Sequence, residues 1–462
     1  MKLSLAGKRV PVLVFCGVLG ALGQCALVRA EEAVPGPALP LKVSDTGRYL
    51  ADQQGRPFLI VGDTAWSIIT QLSDSDAGLY LKDRQDRGFS AIIVNLLEHK
   101  FSSRAPATRA GLLPFKTPGD FSRPNPEYFR WAHQIIEKAN RHGMVVWLAP
   151  AYLGFGGGDE GFFKEMKAGG KVHLHEYGRF IGKTFKDLPN IVWLLGGDFT
   201  PELADRWTVT ELAAGIRDED ERHLMSAHAA PENAAAAVYG DEKWLSVNTV
   251  YSYQPSLFRP LLSEYARKPA RPFVLIESTY EGEHASKPEQ IRRQAYWSML
   301  SGACGQFFGN NPIWHFDGPG LFPVNVTWQE ALASAGSTDI ARLGSLFSSF
   351  PWSELRPEED RPSVNAADGD NLGAPFTATT SDRKLAVSYL PSIGNGKREL
   401  TINTGQFREP VRARWYNPAT GARIDVEGSP LPNGSVCRVT TPGDNGTGAN
   451  DWVLILEVSP AR

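Results

Sequence analysis

Eight short apolar runs recur between residues 58 and 309, most of them separated by stretches whose apolar spacing is helical. The runs cover 58–62, 91–96, 145–149, 191–196, 223–226, 245–249, 273–276 and 305–309. Helical patterns fall at 76–87, 126–142, 173–185, 204–218, 255–267 and 288–300, with Pro126 and Pro288 at first-turn positions, where a missing N–H costs nothing. Runs of this kind read as parallel strands buried on both faces. Strand and helix alternating over about 250 residues favour an α/β fold closed as a (β/α)8 TIM barrel over an open doubly wound sheet. No dinucleotide fingerprint follows the first run, since Gly62-Asp63-Thr64 is too short for one. The glycine-rich stretch 154–158 lacks the Lys-Ser/Thr ending of a phosphate loop and reads as a mobile loop at the site.

The flanks follow other rules. Residues 41–57 read as a hairpin with turns at Asp45-Thr46-Gly47 and Asp52-Gln53-Gln54-Gly55. Beyond the polar, Pro-rich stretch 356–362 the pattern shortens to period two, at 385–390, 399–402, 413–416 and 452–456, as in an all-β sandwich. The expected organisation is therefore a leader at 1–30, a linker at 31–40, a barrel at 41–355 and a β-sandwich at 356–462.

The leader has the form of a secretory signal. Lys2, Lys8 and Arg9 precede an apolar segment from about Val10 to Leu22, and Val28-Arg29-Ala30 offers a cleavage site. The segment is shorter than the roughly 20 residues a membrane span needs, so the mature chain is expected to be secreted or periplasmic without a span. Leu22-Gly23-Gln24-Cys25 weakly resembles a lipoprotein box, with Gln24 a poor fit; a lipid anchor at Cys25 is the minority alternative. Cys16 and Cys25 leave with the leader, and Cys304 and Cys437 fall in different domains, which does not favour a disulfide. The net charge of -3 argues against nucleic acid as a partner.

Two runs end on an acid. Ile191-Val192-Trp193-Leu194-Leu195 passes through Gly196-Gly197 to Asp198, and Phe273-Val274-Leu275-Ile276 delivers Glu277. Catalytic groups of (β/α)8 barrels sit at the C-terminal strand tips. On the fourth and seventh strands these tips face each other across the mouth, at the roughly 5–5.5 Å that suits a retaining glycosidase pair. Asp198 alone reads more readily as a turn or cap residue than as a catalytic one. Glu277 is harder to explain away, because glutamate is disfavoured at the end of a buried run unless it is paired or used.

Groups suited to holding a sugar lie near the other strand ends: Asp63 and Trp66, Asn95, Glu98 and His99, Tyr152, His228, Asn248, Tyr251 and Tyr253, and Asn310, Trp314 and Asp317. Aromatic faces stack on sugar rings, and amides and carboxylates bind hydroxyls. Core packing accounts equally well for each aromatic taken singly, and loop capping for Asn95 and Asn248. Neither His173 with His175 nor His223 with His228 has the spacing or carboxylate partner of a zinc motif, so no metal and no cofactor are expected. There is no Gly-x-Ser-x-Gly nucleophile elbow.

Over roughly residues 41–352 the chain resembles the apiosidase-like glycoside hydrolases. The motifs that carry the likeness are Gly62-Asp63-Thr64-Ala65-Trp66, Trp193-Leu194-Leu195-Gly196-Gly197-Asp198 and Ile276-Glu277-Ser278-Thr279-Tyr280-Glu281. The resemblance implies a secreted bacterial enzyme with a (β/α)8 domain, Asp198 as acid/base and Glu277 as nucleophile. The C-terminal part is similar to the small β-domain, named for collagen binding, that often follows such barrels; no feature of the sequence points to collagen. Where relatives often place His-Pro after the fifth strand, this chain has His228-Ala229-Ala230-Pro231.

The expectation is a secreted retaining glycosidase acting on an oligo- or polysaccharide of plant type, such as a pectin side chain. Asp198 would then have to hold a proton near neutral pH. The rival from another class is a non-catalytic carbohydrate- or matrix-binding protein on an inactive barrel, and a weaker rival is a metal-dependent hydrolase that chelation would inactivate.

Overall fold

A computed structural model describes residues 36–358, 362–366 and 372–458 of the chain. The leader expected at 1–30, with Cys25, lies outside them. The barrel strands are β1 (Ile60–Thr64), β2 (Ala91–Asn95), β3 (Val145–Ala149), β4 (Ile191–Gly196), β5 (Leu224–His228), β6 (Asn248–Tyr251), β7 (Phe273–Glu277) and β8 (Gly305–Phe308). They pair in parallel in the order β5-β4-β3-β2-β1-β8-β7-β6, and the two-residue strand Asn233–Ala234 adds antiparallel to β6. The ring is completed by a parallel bridge from Met225 to Leu245, with the N–H groups of Ser246 and Val247 both donating to the Met225 carbonyl.

The α-helices of five residues or more are α1 (Asp74–Asp86), α2 (Pro126–Arg141), α3 (Phe163–Phe185), α4 (Trp207–Glu219), α5 (Ala235–Tyr239), α6 (Phe258–Ala266), α7 (Pro288–Leu300) and α8 (Ala335–Ser348). Helices α2 and α7 open on the two prolines, and Asn125 caps α2 by accepting from Glu127 N–H. Helix α3 starts ten residues earlier than its apolar period suggests, because a first piece joins it through a non-helical Gly170. The β5–β6 connection keeps only the five-residue α5.

Strand residues alternate between two cores, as the two-residue side-chain period requires. Ile60, Ile93, Trp147, Val192, Val274 and Phe307 fill the lumen. Val61, Ile92, Val146, Trp193, Leu275 and Phe308 face the helices. Hence the runs read as continuously apolar: both faces are covered.

The C-terminal strands are β9 (Leu355–Pro357), β10 (Val364–Ala366), β11 (Phe376–Thr380), β12 (Leu385–Leu390), β13 (Glu399–Asn403), β14 (Val411–Tyr416), β15 (Arg423–Asp425), β16 (Val436–Thr440) and β17 (Trp452–Val458). They form antiparallel sheets in the orders β9-β11-β12-β17-β14-β15 and β10-β13-β16. Leu390, Leu400, Ile402 and Leu454 lie in the core between them. Alternate residues of the larger sheet, such as Val387, Tyr389 and Ile455, pack on the barrel instead. There Tyr389 stacks on Tyr296 of α7, with ring centroids 4.7 Å apart. Beside them the buried Arg292 binds both oxygens of Asp451, at 2.7 and 2.8 Å, and Asp339 of α8 at 2.9 Å. Cys304 and Cys437 are both free thiols.

Candidate active site

All six residues of β4 are buried, and the acid lies two residues past its end. Gly196 and Gly197 take φ of 85° and 124°, which side chains rarely adopt. A Cβ at Gly196 would stand 2.5 Å from the His228 carbonyl oxygen, and one at Gly197 2.3 Å from the Tyr152 ring. The two glycines thus let the backbone pass between His228 and Tyr152 and present Asp198, itself at φ 51°. The Tyr152 hydroxyl donates to Asp198 Oδ2 at 2.6 Å.

Glu277 needs a different device. Along β7, Val274 and Ile276 point into the lumen while Phe273 and Leu275 face the helices, so strict alternation would turn Glu277 outward. The pairing with β6 slips between Leu275 and Glu277, where two steps on β7 match one on β6. This bulge re-aims the carboxyl toward the mouth. His228 Nε2 lies 2.9 Å from Glu277 Oε2, and the Tyr253 hydroxyl donates to Oε1 at 3.0 Å. Tyr253 in turn accepts from the Tyr251 hydroxyl at 3.2 Å.

His228 is 1% exposed and stands between the acids, its Nδ1 3.9 Å from Asp198 Oδ1 and 3.1 Å from the Ala229 carbonyl. Burial opposes a charge on its ring, but the Glu277 hydrogen bond and both carboxylates outweigh it and hold its pKa above the ordinary value. Glu277 is also shifted up, by burial and by the charge of Asp198, with His228 and Tyr253 pulling the other way.

A cavity of about 610 Å³ opens above the pair. Of the expected sugar-holding residues, Trp66, Asn95, Tyr152, Tyr251, Tyr253 and Trp314 line it. Asn95 Oδ1 makes no hydrogen bond among the described residues. Phe155, in the short helical turn Phe155–Gly157, and nearby Glu160 contribute to the wall from the glycine-rich loop.

Other expected residues sit elsewhere. Asp63 is fully buried and faces the helices, where Tyr80 donates to its Oδ2 at 2.8 Å and Arg84 at 3.2 Å; it ties β1 to α1 rather than binding sugar. Asn248 opens β6 instead of closing it and also points outward, donating to Glu264 and accepting from Ala236 N–H. His99 pairs with Glu165 at 3.0 Å away from the cavity lining. His228 lies under the two acids and is not part of the cavity wall. Glu98 is buried against Thr70, Asn310 donates to Glu281, and Asp317 accepts from Trp328 N–H.

The cavity also has walls that strand-end reasoning missed: Phe101, Thr279, Tyr280, Glu283, Gln290 and Phe322. They come, with His284 and Leu321, from loops and the first turn of α7, where no periodic pattern marks an inward-facing side chain; Glu283 and His284, just past Glu281, offered the chemical cues.

Asp198, His228 and Glu277 each offer a ligand atom within 4.8 Å of the others. In tetrahedral zinc sites such atoms stand roughly 3.4 Å apart around neutral imidazole and bare carboxylate. Here both ring nitrogens of His228 are engaged, Nε2 by Glu277 at 2.9 Å and Nδ1 by the Ala229 carbonyl at 3.1 Å. The trio fits a hydrogen-bonded acid pair. His175 and His223 are paired with carboxylates elsewhere, at Asp218 and Asp220.

Residues 44–354 match the family model "Apiosidase-like, catalytic domain", and residues 364–457 match "Putative collagen-binding domain of a collagenase". Among solved structures the chain is similar to a glycoside hydrolase family 5 protein from Bacteroides vulgatus at 22% identity, with a TM-score of 0.77 and coverage of 90% of this chain and 93% of that one. A second structure, described as a glycoside hydrolase, matches at 23% identity and a TM-score of 0.77, covering 91% and 97%. Both likenesses are of fold. No curated protein matches the chain.

Proposed function

The chain belongs to the apiosidase-like glycoside hydrolase family, and from that premise we propose that it is a secreted, retaining glycosidase acting on plant-type glycans such as pectin side chains. The observation that carries the proposal is the spacing of the acids: an oxygen of Asp198 and an oxygen of Glu277 lie within 4.8 Å, on strand tips at the floor of one cavity. That spacing supports double displacement, for which the two carboxyls stand roughly 5–5.5 Å apart, over inversion, for which they stand roughly 6.5–9.5 Å apart.

In this reading Asp198 protonates the glycosidic oxygen while Glu277 attacks the anomeric carbon, so the leaving alcohol departs protonated and a glycosyl ester forms on Glu277. Asp198 then takes a proton from water, which attacks the anomeric carbon and frees Glu277 as carboxylate. Tyr253 and His228, both bonded to Glu277, hold the nucleophile in one orientation and stabilise its ionised form. Tyr152 orients Asp198. Trp66 and Trp314, in the cavity wall, are the groups on which sugar rings would stack. Export rests on the leader sequence, with cleavage after Ala30.

The test is product analysis of the mature protein, from Glu31 onward, with pectin side-chain oligosaccharides and a panel of aryl glycosides, beside Glu277→Gln. Release of a monosaccharide by the wild type alone supports the proposal and names the sugar. Binding of the glycans by both proteins, with release by neither, refutes it in favour of a binding protein.

A further inference from the structure

A third carboxyl group shares the cavity with Asp198 and Glu277. Glu283 lies six residues beyond β7 and is 7% exposed. The turn that carries it is fixed by its neighbour Glu281: the backbone of Glu281 bonds Gly309 and Asn311, each at 2.9 Å, and its carboxylate accepts from Asn310, Ser334 and Gly336 N–H. Trp314 Nε1 donates to Glu283 Oε1 at 2.9 Å. Oε2 has no hydrogen-bond partner among the described residues and remains accessible in the cavity wall.

Supporting Trp314 requires only a carbonyl oxygen, which glutamine supplies without a buried charge. Burial, opposed by the Trp314 bond and reinforced by the charge of Glu277, pushes the Glu283 carboxyl up to about 7. A group retained at that cost in a cleft, with one oxygen uncommitted, has the signature of a functional residue. Among the described residues the cavity wall contains Glu160, Asp198, Glu277 and Glu283, one histidine, His284, and no lysine or arginine. The nearest cations are already paired, Lys100 with Glu160 at 3.5 Å and His228 with Glu277 at 2.9 Å, so a ring bearing a carboxylate would meet mainly like charges.

We propose that Glu283 is a specificity-determining residue: its Oε2 accepts hydroxyl hydrogen bonds from a neutral sugar ring bound over Asp198 and Glu277, and its carboxylate turns away acidic rings. The proposal rests on the glycosidase reading above.

The experiment compares wild type, Glu283→Gln and Glu283→Asp in the mature chain at about pH 8, where Glu283 is mainly ionised, on aryl glycosides of neutral pentoses and hexoses and on the matching aryl glycosiduronic acids. The wild type is expected to prefer the neutral substrate by at least about a hundredfold in kcat/KM. Glu283→Gln should raise KM on the best neutral substrate about tenfold, with kcat changed by less than about threefold, and narrow the preference about tenfold. A Tm no lower than wild type shows that its fold is intact. If it is not, Glu283→Asp, which keeps the charge but withdraws Oε2, carries the same KM test. Unchanged KM and unchanged preference in the variant overturn the proposal and leave Glu283 as a support for Trp314. A wild type that cleaves acidic and neutral substrates alike overturns the exclusion. A wild type that cleaves nothing overturns the glycosidase reading, and this one with it.

Discussion

His228 Nε2 lies 2.9 Å from Glu277 Oε2 while its Nδ1 lies 3.9 Å from Asp198 Oδ1, so one buried imidazole stands between the two acids of the site. Burial and Asp198 raise the Glu277 pKa, and His228 restrains that rise.

A pH profile follows from this contact. Glu277 must be ionised to attack, so the acid limb of kcat/KM should lie above the ordinary glutamate value of 4.5. Replacing His228 by Gln removes a hydrogen bond and a positive charge that pull the Glu277 pKa down, so the acid limb should move to higher pH. The lost charged hydrogen bond should lower kcat at the optimum by about tenfold to a hundredfold. An unmoved limb would show that the imidazole is not coupled to the nucleophile.

Asp198→Asn separates the two acids by leaving group. A poor alcohol leaving group needs the proton, so kcat/KM on such a glycoside should fall about 10²–10⁴-fold. With a dinitrophenol leaving group, which departs without a proton, the loss in the first step should be far smaller. Equal losses on both substrates would refute the acid role.

The barrel was legible because each strand is a short apolar run, covered inside and out, with turn residues at its ends. Asp198 was legible for the same reason, as the acid at the end of such a run. Which way a polar residue near a strand tip points was less so. Asp63 and Asn248 occupy outward positions of β1 and β6 and serve the helix layer, whereas Asn95 and Tyr251 occupy inward positions. Glu277 would have joined the outward set but for the bulge at Ile276, which no residue in the run announces. Glu283 and Phe322 depend on loop paths set by contacts distant in the chain, which neither period encodes.

Glu283 makes a separate prediction about stability. Its ordinary pKa is 4.5 and its folded value about 7, so the folded state binds the proton more tightly. Its contribution is therefore present in full below about pH 4.5 and lost as pH rises to about 7, a difference of roughly 3 kcal/mol. Glu283→Gln should accordingly be more stable than wild type above pH 7, by up to that amount, and no more stable near pH 4. Urea unfolding at the two pH values measures this.

Arg292 joins the barrel to the β-domain. Replacing it with Met leaves Asp451, 0% exposed, without a cation, while Asp339, 4% exposed, keeps Arg342 at 2.8 Å. Breaking a buried pair from one side costs about 3–5 kcal/mol. Urea unfolding of Arg292→Met should show that loss, and a change below about 1 kcal/mol would mean the ion pair contributes nothing net to holding the layers together.

The most direct test of the central claim is the anomeric configuration of the first product, followed by proton NMR as the mature enzyme cleaves a substrate of known configuration. The Asp198–Glu277 spacing predicts that the released sugar first appears with the configuration of the substrate and only then mutarotates. First appearance of the opposite anomer would contradict a covalent intermediate on Glu277.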